Sequence, residues 1–253
     1  MKKALTVAGF DPSGGAGIQA DLKVFHTLGV YGLSVVTALT AQNTGGVSDI
    51  FPVPEKFVTQ QLAVLLSDLI PEATKAGMLY TEANVAAFVR VIRKHSLKNI
   101  VVDPVIVSSS GKRLVEKNTP ESMKKRLFPY CTVITPNICE ASVLTGTEIK
   151  NKDDMEKAAV LLRDCGPENV IITGGHLKGA ALDVLYDGTF HYLESRKVRG
   201  EYHGTGCTFS AALTAMLAKG YRVIDAAGEA KQFMNRAFRK TFDAGGTMKL
   251  FRL

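Results

Sequence analysis

Short runs of aliphatic and β-branched residues alternate along this chain with longer stretches whose apolar positions recur every three or four residues. The runs at residues 5–8, 34–39, 73–77, 100–103, 132–135 and 170–173 have the length and composition of buried strands. Over residues 56–69, Phe57, Leu62, Leu65, Leu66 and Leu69 keep helical spacing. Helices are also predicted over 16–28, 82–95, 208–219 and 223–242. Asp187-Gly188, between apolar runs at 182–186 and 190–193, predicts a hairpin. Strands alternating with helices predict an α/β fold, with a mainly parallel central sheet and helices on both faces. No repeat, linker or low-complexity tract divides the chain, so residues 1–253 are read as one domain. Residues 108–120, rich in Ser, Gly and Lys, are read as a mobile loop.

In sheets of this kind ligands bind beyond the carboxyl ends of the strands. The predicted strand ends carry Gly9-Phe10-Asp11, Gln42-Asn43, Gly77-Met78, Asp103-Pro104, Pro136-Asn137 and Gly174-Gly175-His176. Most of the unusual polar and glycine residues therefore share one edge. The most telling stretch is Gly204-Thr205-Gly206-Cys207-Thr208, set directly before an apolar run. A glycine turn opening a helix aims unpaired N–H groups and the positive end of a helix dipole at one spot, which suits a phosphoryl group. A plain helix cap is the alternative.

Composition changes this picture little: 46% of the 253 residues are hydrophobic and 22% charged, ordinary for a globular chain. The net charge of +7, from 31 Lys and Arg against 24 Asp and Glu, suits phosphate-bearing substrates. The basic residues are scattered, and the cluster Lys124-Lys125-Arg126 reads as a solvated helix face, so nucleic acid is not expected as a partner. Cys131, Cys139, Cys165 and Cys207 form no CxxC pair, which argues against structural zinc or a redox centre. No apolar run reaches the roughly 18 residues of a membrane span, and none near Met1 suits a signal peptide. A cytoplasmic protein with reduced thiols is expected.

Gly15-x-Gly17-x-x-Ala20 loosely matches a dinucleotide fingerprint, but the strand ending at Gln42-Asn43 lacks the acid that would hold a ribose. Gly111-Lys112-Arg113 is not a P-loop, so any ATP use runs through another architecture. Asp103 ends a strand, and Asn137-x-x-Glu140 follows Thr135-Pro136. Asn137 and Glu140 read as a capping box, compatible with a water-mediated contact to Mg²⁺. Cys207 is either a thiol of lowered pKa at a helix N-terminus, able to act as a base, or a small buried residue. His203 flanks the anion turn and is placed to steady a phosphate.

The chain resembles the hydroxymethylpyrimidine/phosphomethylpyrimidine kinases of thiamin biosynthesis, within the ribokinase-like superfamily. The resemblance is carried by residues 8–21 (Ala-Gly-Phe-Asp-Pro-Ser-Gly-Gly-Ala-Gly-Ile-Gln-Ala-Asp), Thr37-Ala38-Leu39-Thr40-Ala41-Gln42-Asn43-Thr44, Val102-Asp103-Pro104-Val105 and His203-Gly204-Thr205-Gly206-Cys207-Thr208. It implies a ribokinase-like three-layer sandwich. It implies Cys207 as the base that activates a substrate hydroxymethyl group, with Gly204, Thr205 and Gly206 as the anion hole. Gln42 would read the aminopyrimidine edge, and Gly9, Ala16, Asp21, Met78 and Val105 would complete the substrate site. ATP would be held with the help of Asn137, Glu140, Thr173, Gly175 and His203, and Mg²⁺ by Asp103 and Glu140. A homodimer is implied. Thr173 stands where the family commonly has lysine, and the family's Gly-Pro-Val-His-like tail is absent.

Three other functions compete with phosphorylation of the pyrimidine and its monophosphate. A pyridoxal kinase would use the same cysteine motif. A non-catalytic pyrimidine sensor would tolerate Thr173. An oxidoreductase would use the Gly15–Ala20 turn.

Overall fold

The computed structural model describes residues 1–108, 111–175 and 181–253. His176 and part of the expected loop at 108–120 lie outside the described residues. Six parallel strands form the centre of a nine-stranded sheet: β1 (Lys3–Phe10), β2 (Tyr31–Asn43), β4 (Ala73–Ala76), β5 (Ile100–Val102), β6 (Val133–Ile134) and β7 (Asn169–Gly174). An antiparallel strand β3 (Gly46–Pro52) borders β2, and β8 (Ala181–Tyr186) with β9 (Phe190–Ser195) forms the expected hairpin beyond β7. The strand order is β3-β2-β1-β4-β5-β6-β7-β8-β9.

Both faces of the sheet are covered. Ile100, Val102, Ile134 and Ile172 point into one core with α2 (Glu55–Leu66), α3 (Glu82–His95), α5 (Ile138–Thr145) and α6 (Lys152–Arg163). Val101, Val133 and Ile171 point into the other, with α1 (Gly17–Thr27), α7 (Thr205–Ala218) and α8 (Val223–Phe238). This alternation follows from the two-residue period of a strand, and it is why these strands read as continuous apolar runs. The three-layer α/β expectation holds. No helix among the described residues is long and apolar enough to cross a membrane.

The differences are local. Strand β3 escaped because a bulge between Ala41 and Gln42 breaks the alternation. Helix α6 was legible in Met155, Ala158, Ala159 and Leu162, all buried at helical spacing, and was missed. The last helix stops at Phe238. Thr241-Phe242 leaves it to pair with Leu250-Phe251 as a two-stranded ribbon, β10 and β11. Lys124-Lys125-Arg126 lies in a five-residue π turn that continues the short helix α4 (Thr119–Ser122), whose Glu121 pairs with the two lysines. Within the expected mobile loop, Leu114 and Val115 are buried, and the Leu114 N–H donates to the Ile106 carbonyl.

Candidate active site

Helix α7 is buried on nearly all sides between α1, α8 and the sheet. Its N-cap, Gly204, has a φ of 75°, and a Cβ there would collide with the Gly15 carbonyl. Only glycine lets the anion turn lie against the turn that follows β1. Gly204 is half-buried, whereas Thr205 and Gly206 are exposed, so the amides at the mouth of α7 open outward.

Cys207 sits just inside that mouth. The Gly17 N–H, at the first residue of α1, lies near its sulfur and favours the thiolate. The thiol therefore lies between the positive ends of two helices. Although the residue is half-exposed, its sulfur is ringed by protein, and this burial pushes the thiol up to about 12. The Lys75 ammonium pulls the other way, and the Asp103 and Asp21 carboxyls add to the rise. The expectation of a lowered pKa is thus corrected: burial outweighs the helix fields, and the thiol is protonated at neutral pH.

A buried polar network underlies the turn. Lys75, with no exposed surface, lies 2.5 Å from Asp21 Oδ1 and 3.9 Å from Asp103 Oδ2, and reaches the Cys207 carbonyl at 3.5 Å. The Ser210 hydroxyl donates to Asp103 at 2.9 Å and lies the same distance from the Gly206 carbonyl. Burial raises Asp21 and Asp103, and Asp103 together with burial raises Glu140 well above the carboxylate range. Asp21 is corrected from substrate-binding to supporting residue. It has no exposed surface, and its oxygens are taken by Lys75 and by the Thr6 hydroxyl at 2.6 Å. Lys75, Ser210 and Thr6 were missed by sequence reading. A lone lysine inside the otherwise uncharged strand Ala73-Thr74-Lys75-Ala76 was the available signal.

Asn137 and Glu140 form the expected capping box: the Glu140 N–H donates to Asn137 Oδ1 and the Asn137 N–H to Glu140 Oε2, both at 3.0 Å. Thr173 bridges to Asn137, and its N–H donates to the Pro136 carbonyl; Gly175 follows, exposed. Among the described residues no cluster of three or more His, Cys, Asp or Glu side chains forms a ready metal cage. However, Asp21, Asp103 and Glu140 are buried with Lys75 as the neighbouring cation. With Asp21 held by Lys75 and Thr6, Asp103 and Glu140 are the pair left for a hydrated divalent ion, which binds through one or two carboxylates and would offset the burial that raises both.

On the other side of the turn, Met78, Val105, Leu114, Val47 and Ala38 form a small apolar cluster. A Cβ on Gly9 would meet the Met78 methyl at 3.4 Å, and Ala16 lies beside Gly204. Gln42 reaches towards His203, beside a cavity of about 590 Å³ lined by Pro12, Asn43, Val47 and Ser48. The His203 ring turns to Asp11 at 2.9 Å and to Gln42 at 3.2 Å. The ring is thus engaged by Asp11 and Gln42, while the residue itself still precedes the Gly204 turn as expected.

Comparison with known proteins gives the family. The phosphomethylpyrimidine kinase family profile matches residues 11–251. The chain is 41% identical over 251 residues to the hydroxymethylpyrimidine/phosphomethylpyrimidine kinase of Bacillus subtilis, covering 96% of this chain and 91% of that protein. It is 44% identical over 238 residues to the thiamine biosynthesis bifunctional protein ThiED of Geobacter sulfurreducens, covering 93% of this chain but spanning only 49% of that protein. Among solved structures, an ADP complex of Bacillus subtilis pyridoxal kinase superposes with a TM-score of 0.91 at 40% identity, covering 99% and 96% of the two chains. With a profile match over residues 11–251 and a fold and relatives that agree over nearly its whole length, this chain is a kinase that belongs to the phosphomethylpyrimidine kinase family.

Proposed function

We propose that the protein transfers the γ-phosphoryl group of ATP to 4-amino-5-hydroxymethyl-2-methylpyrimidine, and then to its monophosphate. One observation carries this reading: the mouth of α7, with Thr205 and Gly206 exposed and Cys207 just inside, packs through Gly204 on Gly15 and Ala16, in the turn that follows Gly9 and its neighbour Met78. In-line phosphoryl transfer is mostly positioning and charge stabilisation, and amides at a helix mouth supply both without a Walker loop.

Within this reading the anion turn takes the moving phosphoryl group. Cys207 orients the acceptor hydroxyl and, in its thiolate form, receives its proton. Asn137, Thr173 and Gly175, at the ends of β6 and β7, face the nucleotide. Asp103 and Glu140 would hold Mg²⁺ through its waters; when bound, the ion neutralises phosphate charge. Solved relatives hold ADP or AMP-PCP, which supports ATP as donor. Mass analysis of products after incubation with ATP, Mg²⁺ and the pyrimidine tests the proposal: mono- and diphosphorylated products are expected, and no phosphorylated pyrimidine would overturn it.

A second reading, pyridoxal kinase, is favoured by a 43% identical Bacillus subtilis protein named pyridoxine kinase. Gln42 argues for the aminopyrimidine, because one amide pairs with a ring nitrogen and an exocyclic amine together. Replacing Gln42 by leucine is expected to weaken pyrimidine binding by about 1–3 kcal/mol, read as a higher KM. An unchanged KM would give the ring-reading role to another group.

A homodimer is part of the same proposal. Phe10, Leu39 and Phe51 are direct neighbours across β1, β2 and β3 and so share one face, exposed by 37%, 45% and 65%. An apolar row at the sheet margin is a natural contact surface. Light scattering is expected to give the mass of two chains for the wild type and one for Phe51→Lys. A monomeric wild type would refute the dimer. The four free thiols accord with a reducing, cytoplasmic setting.

A further inference from the structure

The hydrogen bonds around Gln42 do not balance as drawn. His203 Nε2 lies 2.9 Å from Asp11 Oδ2, and both residues are buried. Burial works against the Asp11 charge. Hydrogen bonds from His203 and Ser13 outweigh it and hold the carboxyl at about 2, so Asp11 is a carboxylate. An imidazole nitrogen this close to a carboxylate must carry a proton. Yet the Gln42 amide nitrogen, also a donor, lies 3.2 Å from that same Nε2. At the other end, Gln42 Oε1 lies 3.1 Å from Thr40 Oγ1, a hydroxyl that also lies 2.9 Å from the Phe10 carbonyl and can donate to either. Donor therefore faces donor at the His203 end, while the Thr40 end accepts either orientation of the amide.

A half turn of the amide resolves the conflict at His203 and leaves Thr40 free to donate to the Phe10 carbonyl, since amide oxygen and nitrogen occupy nearly equivalent positions. The Gln42 carbonyl then shares the His203 Nε2–H with Asp11 in a three-centre bond. The Gln42 NH₂ donates to the Thr40 hydroxyl. Asp11 itself is fixed by Ser13 and by the Ala16 N–H at 2.8 Å, so the anchor does not swing.

We infer that Asp11 and His203 are positioning residues that lock the Gln42 amide with its carbonyl towards His203 and its NH₂ towards Thr40, so that the slot selects rings bearing a nitrogen acceptor beside an exocyclic amine. This rests on the proposed pyrimidine kinase activity and adds the source of its selectivity. One N–H and one carbonyl lone pair of the locked amide stay free, in fixed order. A ring nitrogen with a neighbouring amine matches that order in one pose. A ring hydroxyl donates or accepts as required and is indifferent to which way the amide points. The lock therefore favours amine-edged rings over hydroxyl-edged ones. It acts by pre-organisation, without any contact between His203 and the ring.

The test compares wild type, His203→Leu, His203→Gln and Thr40→Val in steady-state kinetics with ATP. The aminopyrimidine and, as the hydroxyl-edged probe, pyridoxal serve as acceptors, and calorimetry measures binding of each ring. His203→Leu and Thr40→Val are expected to raise the aminopyrimidine KM and Kd by about fivefold or more, with kcat changed by less than about threefold. Pyridoxal binding should be unmoved. His203→Gln, whose NH₂ serves both Asp11 and Gln42, should recover most of the loss. Unchanged aminopyrimidine binding in both His203→Leu and Thr40→Val would overturn the inference, as would equal losses for both rings. A wild type that binds the pyrimidine but does not phosphorylate it would sink the kinase reading alone. If His203→Leu does not fold, Thr40→Val decides.

Discussion

Cys207→Ala is expected to lower kcat by about 10²–10⁴-fold, the usual worth of a positioned proton acceptor, while KM for the pyrimidine stays within about threefold. The sulfur lies between the N-termini of α7 and α1 and contributes little to the apolar walls of the slot, so its loss should spare binding. The pH profile gives an independent check. With the thiol near 12, the thiolate fraction rises about tenfold per pH unit through neutral and mildly alkaline pH. Wild-type kcat/KM should therefore climb with pH and show no plateau below about pH 10, and the alanine variant should lose that slope. A flat wild-type profile, or an alanine variant near the wild-type rate, would leave the backbone amides as the sole machinery at this point.

Lys75→Met is expected to cost about 3–5 kcal/mol of folding stability, measured by denaturant titration. Lys75 is fully buried, and removing its ammonium strands the Asp21 and Asp103 carboxyls in the protein interior. Burial already raises both carboxyls with Lys75 present; without it each must stay charged at high cost or take up a proton. The sign of the pH effect follows. Groups whose folded pKa lies above the unfolded value stabilise more at lower pH, so the deficit should narrow as pH falls towards about 4. Adding Asp21→Asn to the same chain should recover part of the loss. A cost below about 1 kcal/mol would mean that the network is already neutral.

The fold was legible because its strands are buried on both faces. Ile100-Val101-Val102 and Val170-Ile171-Ile172 could hardly be read otherwise. What escaped lacks that signature. Strand β3 is half-exposed, bulged and polar at Ser48 and Asp49, and the β10–β11 ribbon is two residues deep. In the site, the anion turn and the capping box are local in sequence, and both stand where the spacing placed them. Long-range pairings carry no such trace. Lys75 meets Cys207 across 132 positions, and His203 meets Asp11 across 192. Burial, too, appears only once the chain is folded. Hence, of the two readings of Cys207, the acidic thiol gives way to the buried one, and Asp21, expected at the substrate, has no exposed surface.

The segment at the end of the chain is stitched to the residues that lead into the Gly204 turn. The His203 N–H donates to the Lys249 carbonyl, and the Lys249 N–H to that of Glu201. Phe251 packs against Tyr202 and Phe238. A fusion partner or surface tether attached after Leu253 would thus tug on the turn at His203 and Gly204 through four or five residues. One attached ahead of Met1 would join β1 at its first residues, the end of that strand remote from Gly9 and the turn that follows it.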